Sequence, residues 1–131
     1  MASSDPLADL LTKIRNAIRA NKRIVEYPNT KMAREITRML HENKFIGKYI
    51  IVEAEMQGMI KVLLKYFEGE SVIQGITRVS KPSLRKYVKV DEIPRVKNGL
   101  GMAVLSTPRG IMTGLKAKKL GVGGEVLCIV W

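Results

Sequence analysis

Apolar residues begin to recur at helical spacing close to the start of the chain. Leu7, Leu10, Leu11, Ile14, Ala17 and Ile18 fall at i, i+3, i+4 intervals and so share one helical face. Ser4-Asp5-Pro6 precedes them as a helix start, a capping side chain followed by proline at the first helical position. Residues 23–27 read as a short strand ended by Pro28. Asn29 or Thr30 then caps a second helix, whose apolar stripe is Ala33, Ile36, Met39 and Leu40. Residues 45–55 and 59–66 read as two strands of a hairpin around Met56-Gln57-Gly58. The order helix–strand–helix–strand–strand predicts an α/β lobe, and it leaves the first strand free to pair beside the later hairpin.

The pattern changes after Glu68-Gly69-Glu70-Ser71, a polar, glycine-bearing interruption between apolar runs. From there to the end the chain is rich in strand signals. Residues 72–80 read as a strand and Lys81-Pro82-Ser83 as a turn. In 84–90, Leu84, Lys86, Val88 and Val90 point one way, while Arg85, Tyr87 and Lys89 point the other. Residues 91–96 are irregular around Pro94. Met102 to Ser106 alternate as a strand, which Thr107-Pro108-Arg109-Gly110 breaks with turn chemistry. Ile111-Met112 resumes extended chain, Thr113 or Gly114 caps a short helix, and Gly121 fits its C-cap. Residues 125–131 form a closing strand. The predicted fold is α+β in two small lobes: an N-terminal α/β lobe over 1–68, and a β-rich C-terminal lobe with a short helix over 69–131.

Length and composition agree with this division. A chain of 131 residues, 46% hydrophobic, supports one domain or two small lobes. Charge adds more. Lys and Arg number 23 against 12 Asp and Glu, a formal net charge of +11 with a pI near 10.0. Such a field attracts phosphate polyanions. Residues 1–67 hold 12 basic and 7 acidic groups and residues 68–131 hold 11 and 5, so a broad surface is favoured over a basic tail. The single cysteine, Cys128, excludes an internal disulfide, suits a reducing compartment, and is expected to pack inside the last strand. No apolar run is long enough to span a bilayer, and MASSDPLADLL lacks the layout of a secretory signal. The chain is expected to be soluble, intracellular and monomeric when free.

Catalytic constellations are thin, and no enzyme activity, metal or cofactor is expected. His41, the only histidine, sits late in the second helix, where a cation near the terminal carbonyls is explanation enough. No His/Cys cluster has metal-ligand spacing. Gly99-Leu100-Gly101 begins like a dinucleotide fingerprint, but Val104 occupies the third glycine's place and a strand comes next. Ser106 could serve as a nucleophile only with a distant histidine. Binding chemistry is better represented. Arg85-Tyr87-Lys89 presents cation, aromatic, cation on one strand face, suited to phosphates and a stacked base or sugar. A solubilising edge strand explains it equally well. Thr12, Arg15, Asn16 and Arg19 form a polar stripe on the first helix, a phosphate-contacting face or a solvated one. Gly121-Val122-Gly123-Gly124 reads first as a turn, with close backbone approach as the alternative. Glu125 could hold Lys or Tyr side chains, or accept from a base amino group or a ribose 2′-OH. The Ser106 to Gly110 tip, small and polar on apolar supports, suggests a preorganised contact.

The stretch GMAVLSTPRGIMTGLKAK, from Gly101 to Lys118, resembles the signature of the bacterial-type ribosomal protein S8 family. The matching residues are Gly101, Val104-Leu105, Ser106-Thr107, Gly110, Ile111-Met112 and Ala117-Lys118. Thr12 to Asn16, Leu64 to Phe67, Arg78 to Pro82, Asn98 to Gly101 and Gly121 to Glu125 resemble the same family. The resemblance implies a two-lobed structural constituent of the small ribosomal subunit, located in the cytoplasm or in an organelle with bacterial-type ribosomes. It would bind the central domain of 16S-type ribosomal RNA directly and support assembly beside neighbouring ribosomal proteins. The implied main contact is Ser106, Thr107, Arg109 and Gly110, with Tyr87 and Gly123, Gly124 and Glu125 beside it. Arg85, Lys86 and Lys81 extend that set, and Arg15, Asn16 and Lys31 supply contacts from the N-terminal lobe. Three positions depart from the family pattern: Pro108 replaces a third hydroxyl, Ser83 a glycine, and Gly114 an acidic residue. The rival readings are a general basic nucleic-acid-binding module and, more distantly, a small Ser106-dependent hydrolase or a peripheral membrane protein.

Overall fold

Two compact units make up the computed structural model, which describes residues 5–131: one ends at Ile73 and the other runs Gln74–Trp131. The predicted division at 68/69 falls inside a small hairpin of the first unit. In that unit the elements are α1 (Pro6–Arg19), β1 (Ile24–Pro28), α2 (Lys31–Glu42), β2 (Ile46–Val52), β3 (Met59–Leu64), β4 (Tyr66–Phe67) and β5 (Glu70–Ser71). Local chemistry sets the helix starts. The Asp5 side chain accepts from the Ala8 amide at 3.1 Å, with Pro6 at the first helical position. The Thr30 hydroxyl accepts from the Ala33 amide at 3.0 Å. Asn29 instead takes Arg34 and the Gln57 carbonyl as partners. Ser4 lies outside the described residues.

The first sheet is antiparallel in the order β1-β3-β2, so the first strand pairs beside the hairpin as expected. Period-two alternation puts Val25, Tyr27, Ile60, Val62 and Leu64 on the buried face. Both helices turn their apolar stripes to this core. Tyr27 and Thr37 are fully buried there with their hydroxyls 2.5 Å apart. Thr37 spends its proton on the Ala33 carbonyl at 2.6 Å, so Tyr27 is the donor to Thr37. His41, at the end of α2, donates from Nδ1 to the Gly47 carbonyl at 3.0 Å and meets Tyr49 edge-on.

The second unit holds β6 (Ile76–Arg78), β7 (Tyr87–Val88), β8 (Met102–Thr107), β9 (Gly110–Thr113), α3 (Gly114–Leu120) and β10 (Gly124–Val130). All pairings in its sheet are antiparallel. β10 is central, with β8 along one side and β6 and β7 in succession along the other, while β9 lies beyond β8. Ala103, Leu105, Met112 and Val126 of the sheet pack with Ala117 of α3 and with Ile93 and Val96. A bulge at Leu127 shifts the register between Val126↔Leu105 and Cys128↔Val104, which lets three consecutive residues be buried. Cys128 is buried as expected, and desolvation pushes its thiol up to about 12. Thr113, not Gly114, caps α3, accepting from the Lys116 amide at 3.2 Å. Gly121 ends that helix at φ 72.

Two predicted strands are much shorter than the alternation implied. Of 72–80 only Ile76–Arg78 is strand, because the Val72 amide closes onto the Lys65 carbonyl and the Gln74 and Gly75 amides both bond the Trp131 carbonyl. Of 84–90 only Tyr87–Val88 is strand. Lys81 and Leu84 pair with each other around a tight turn, and Val90 opens a 3-10 turn. Phe45 and the residues after Val52 lie outside β2, and Tyr66 belongs to the β4–β5 hairpin.

Removing the Tyr27 hydroxyl tests the first core. Tyr27→Phe should lower stability at pH 7 by about 1 kcal/mol, the net worth of one hydrogen bond, in denaturant unfolding. Burial raises the Tyr27 pKa from 10.0 to about 12. A raised pKa means its contribution is complete below the unfolded value and is lost as pH rises through the folded one. The gap between wild type and variant should therefore narrow between pH 10 and about 12.

Candidate nucleic-acid interface

β8 and β9 meet at a two-residue tip, Pro108-Arg109, between the paired residues Thr107 and Gly110. Neither tip residue has positive φ, and Gly110 takes φ 114 instead. The tip therefore uses neither of the positive-φ hairpin turns, and the glycine after it takes the positive φ instead. Pro108 suits the first central position, where its fixed φ stiffens the tip. The Thr107 hydroxyl accepts from the Arg109 amide at 3.1 Å and donates to the Gly110 carbonyl at 2.8 Å. Thr107 thus shapes the turn. The neighbouring Ser106 hydroxyl is half-exposed and has no hydrogen-bond partner among the described residues. The two hydroxyls, alike in sequence, have different work. Arg109 and Gly110 are exposed beside them.

The strand pairings carry the site across the sheet. Glu125 of β10 lies opposite Ser106 of β8 and opposite Tyr87 of β7. Directly opposed residues in antiparallel strands project from the same face. Tyr87, Glu125 and Ser106 therefore form one transverse row, on the face opposite Leu105 and Val126. Tyr87 is 70% exposed, on a short strand that among the described residues pairs only with β10. Arg85 and Lys86 precede it, and Lys81 stands at the start of the tight turn; all three are exposed. Ser83 has no positive φ, so serine costs nothing at the position where glycine was expected.

One carboxylate ties these pieces together. Glu125 accepts on Oε2 from the Ser80 hydroxyl and from Arg85 Nη1, the latter at 3.1 Å. Ser80, only 1% exposed, also accepts from the Lys86 amide at 3.1 Å. The Ser80 hydroxyl bond, followed by the Arg85 guanidinium, holds the Glu125 carboxyl below the usual carboxylate range against the opposing effect of burial. Ser80 drew no attention in the sequence beyond its place in a matching stretch. Its partner is 45 residues away, and no local signal marks it.

Gly123 and Gly124 set the spacing of the row. A Cβ on Gly123 would collide with the Val88 carbonyl oxygen, and one on Gly124 with that of Ser106. Neither residue has positive φ. Close strand approach, not turn formation, is what requires glycine here. Arg15 and Asn16 lie on α1 and Lys31 opens α2, so these three belong to the first unit and not to the row.

The observed boundary also redistributes the charge. Residues 1–73 carry 12 basic and 9 acidic groups, residues 74–131 carry 11 and 3. The second unit is far more positive than an even division of the chain suggested. Glu125 of that unit, the acid in the row, is already paired. Among the described residues no group of three or more His, Cys, Asp or Glu could hold a metal, and no helix is long and apolar enough to cross a membrane.

A polar turn, an exposed aromatic and several cations flanking the sheet, in a chain this basic and of α+β fold, are chemistry suited to a polyanion. The chain belongs to the ribosomal protein S8 family, whose model matches residues 5–131. It is 51% identical to the small ribosomal subunit protein uS8 of Halothermothrix orenii, with 100% of each chain covered. The protein of the same name from Cytophaga hutchinsonii is 51% identical over 97% of this chain and 99% of its own. That of Acidobacterium capsulatum is 47% identical with both chains fully covered. Membership makes this chain a ribosomal protein and not an enzyme.

Substituting the close-approach glycine tests the geometry of the row. Gly124→Ala should force β10 away from β8 and destabilise the protein by about 1–3 kcal/mol, the range for overpacking. Thermal unfolding measures the loss, and the Ser106 and Glu125 amides should show the largest chemical-shift changes.

Proposed function

We propose that this chain is a structural constituent of the small ribosomal subunit that binds small-subunit ribosomal RNA directly, in its central domain, and supports subunit assembly. The observation that carries the reading is the transverse row: the unpartnered Ser106 hydroxyl, the exposed Tyr87 ring and the paired Glu125 side by side, next to the Thr107–Gly110 turn. Family membership and the positive charge of the second unit support it.

Affinity and specificity have separate sources in this reading. Lys81, Lys86, Arg109 and the cations of the first unit, Arg15 and Lys31 among them, release counterions from phosphates whatever the sequence. Ser106 can donate to or accept from a base edge or a 2′-OH, and Tyr87 offers a face for stacking. Gly110, with open space where a side chain would stand, keeps the tip low so that a sugar-phosphate strand can approach the row, while Gly123 and Gly124 set the strand spacing beneath it. Asn16 adds an amide to the phosphate-facing stripe of α1. Neighbouring small-subunit proteins and a location on the ribosome follow from the same reading. The rival general nucleic-acid-binding module gives no role to an unpartnered hydroxyl in line with an exposed ring. The Ser106 hydrolase lacks a base, since the only histidine is bonded to the Gly47 carbonyl in the other unit.

Binding of variants to a central-domain transcript and to random RNA, over a range of salt concentrations, separates the two sources. Ser106→Ala should weaken the transcript by roughly 1–3 kcal/mol, leaving random RNA and the salt slope unchanged. Lys31→Ala should weaken both RNAs and make the slope shallower. Equal weakening of both RNAs by Ser106→Ala would remove the row as the specificity element.

A further inference from the structure

We propose that Ser80 and Glu125 act as positioning residues that fix Arg85 beside Tyr87 and Ser106, turning Arg85 from a general cation into a directional RNA contact. This rests on the RNA-binding reading of the same row.

Three observations carry it. First, the Ser80 hydroxyl is buried and bonded on both sides, giving its proton to Glu125 and accepting the Lys86 amide. It therefore fixes Glu125 on β10 and the segment leading into β7 with one group. Second, Glu125 Oε2 takes both Ser80 and Arg85 Nη1. The Glu125 side chain is 14% exposed and that of Arg85 50%, so the anchoring carboxylate is largely covered while half of the Arg85 side chain stays open to solvent. Third, the register places Glu125 between Tyr87 and Ser106. Whatever Arg85 touches lies next to the groups proposed to read the RNA.

The size of the effect favours orientation over stability. A half-exposed ion pair contributes little to folding, because solvent screens it and two side chains must be held still. Orientation is another matter. Arg presents its donors in a planar fork, and anchoring one nitrogen leaves the others aimed outward at a fixed angle. Pairing also cancels one positive charge beside the row, which lowers sequence-independent attraction at the point where RNA would be read. An acidic group facing RNA phosphates would repel them if left unpaired. With Arg85 attached it does not.

The test uses the full chain, a transcript of the central domain of small-subunit ribosomal RNA, and a random-sequence duplex of equal length. Glu125→Gln keeps the shape and removes the charge. It should weaken the transcript about tenfold, the loss of one charge-assisted contact, and tighten the random duplex with a steeper salt dependence. Ser80→Ala changes no charge, so it should weaken the transcript while leaving the duplex as it was. Adding Arg85→Ala to Glu125→Gln should cost no further preference for the transcript, because both remove the same oriented group. A purely structural role predicts changes of the same sign for both RNAs, tracking the fraction folded in a thermal melt, and that result overturns the proposal. So does a multiplicative loss in the double variant, which would make Glu125 an independent RNA contact. Ser106→Ala serves as the reference. If it lowers the preference and the Ser80 and Glu125 variants do not, the positioning role is wrong and the RNA reading stands. If it leaves the preference unchanged as well, the RNA reading fails and the positioning role falls with it.

Discussion

Everything at the candidate interface depends on how β10 is held between its neighbours. It is hydrogen-bonded to β8 on one side and to β6 and β7 on the other. Gly123 and Gly124 let it come close enough to β7 and β8 that no side chain would fit between. The bulge at Leu127 then resets the register. On one side of the bulge Val126 joins the core with Leu105 and Ala117, while Glu125 emerges on the opposite face between Tyr87 and Ser106. A strand without the glycines would stand too far away to build the row. The same backbone geometry that completes the hydrophobic core thus presents the polar groups.

The polar groups are also prearranged at little entropic cost. Thr107 closes its own turn, Pro108 stiffens it, and Ser80 pins the approach to β7. Few rotamers remain to be frozen when a ligand arrives, which is where much of the cost of binding is otherwise incurred. The broad positive field acts differently. It speeds encounter and adds affinity without choosing among RNAs. With 11 basic and 3 acidic groups in residues 74–131, that field is strongest in the unit that carries the row.

Features set by neighbours in sequence were legible from the sequence alone. Asp5 with Pro6, Thr30 and Gly121 announced their helix ends, and the apolar stripes of both long helices became their buried faces. The hairpin around Gly58 and the turn around Pro108 came from turn chemistry. Features set by distant partners were not legible. Alternation over 84–90 suggested a full strand, but the Lys81–Leu84 pairing and the 3-10 turn after Lys89 leave two residues of it. Gly123-Gly124 looked like a turn because the carbonyls it must clear belong to other strands. Ser106 and Thr107 looked equivalent until the hydroxyl of one was seen to close the turn. Ser80 carried no signal at all, since its importance lies in a carboxylate far along the chain.

The most direct measurement is amide hydrogen exchange of the full chain, free and bound to small-subunit ribosomal RNA. New protection is expected over residues 80–88, 106–110 and 123–125, with the β2–β3 hairpin tip unchanged. Protection confined to α1 and α2, with those three segments exchanging as in the free protein, would contradict the assignment of the row as the RNA-reading surface.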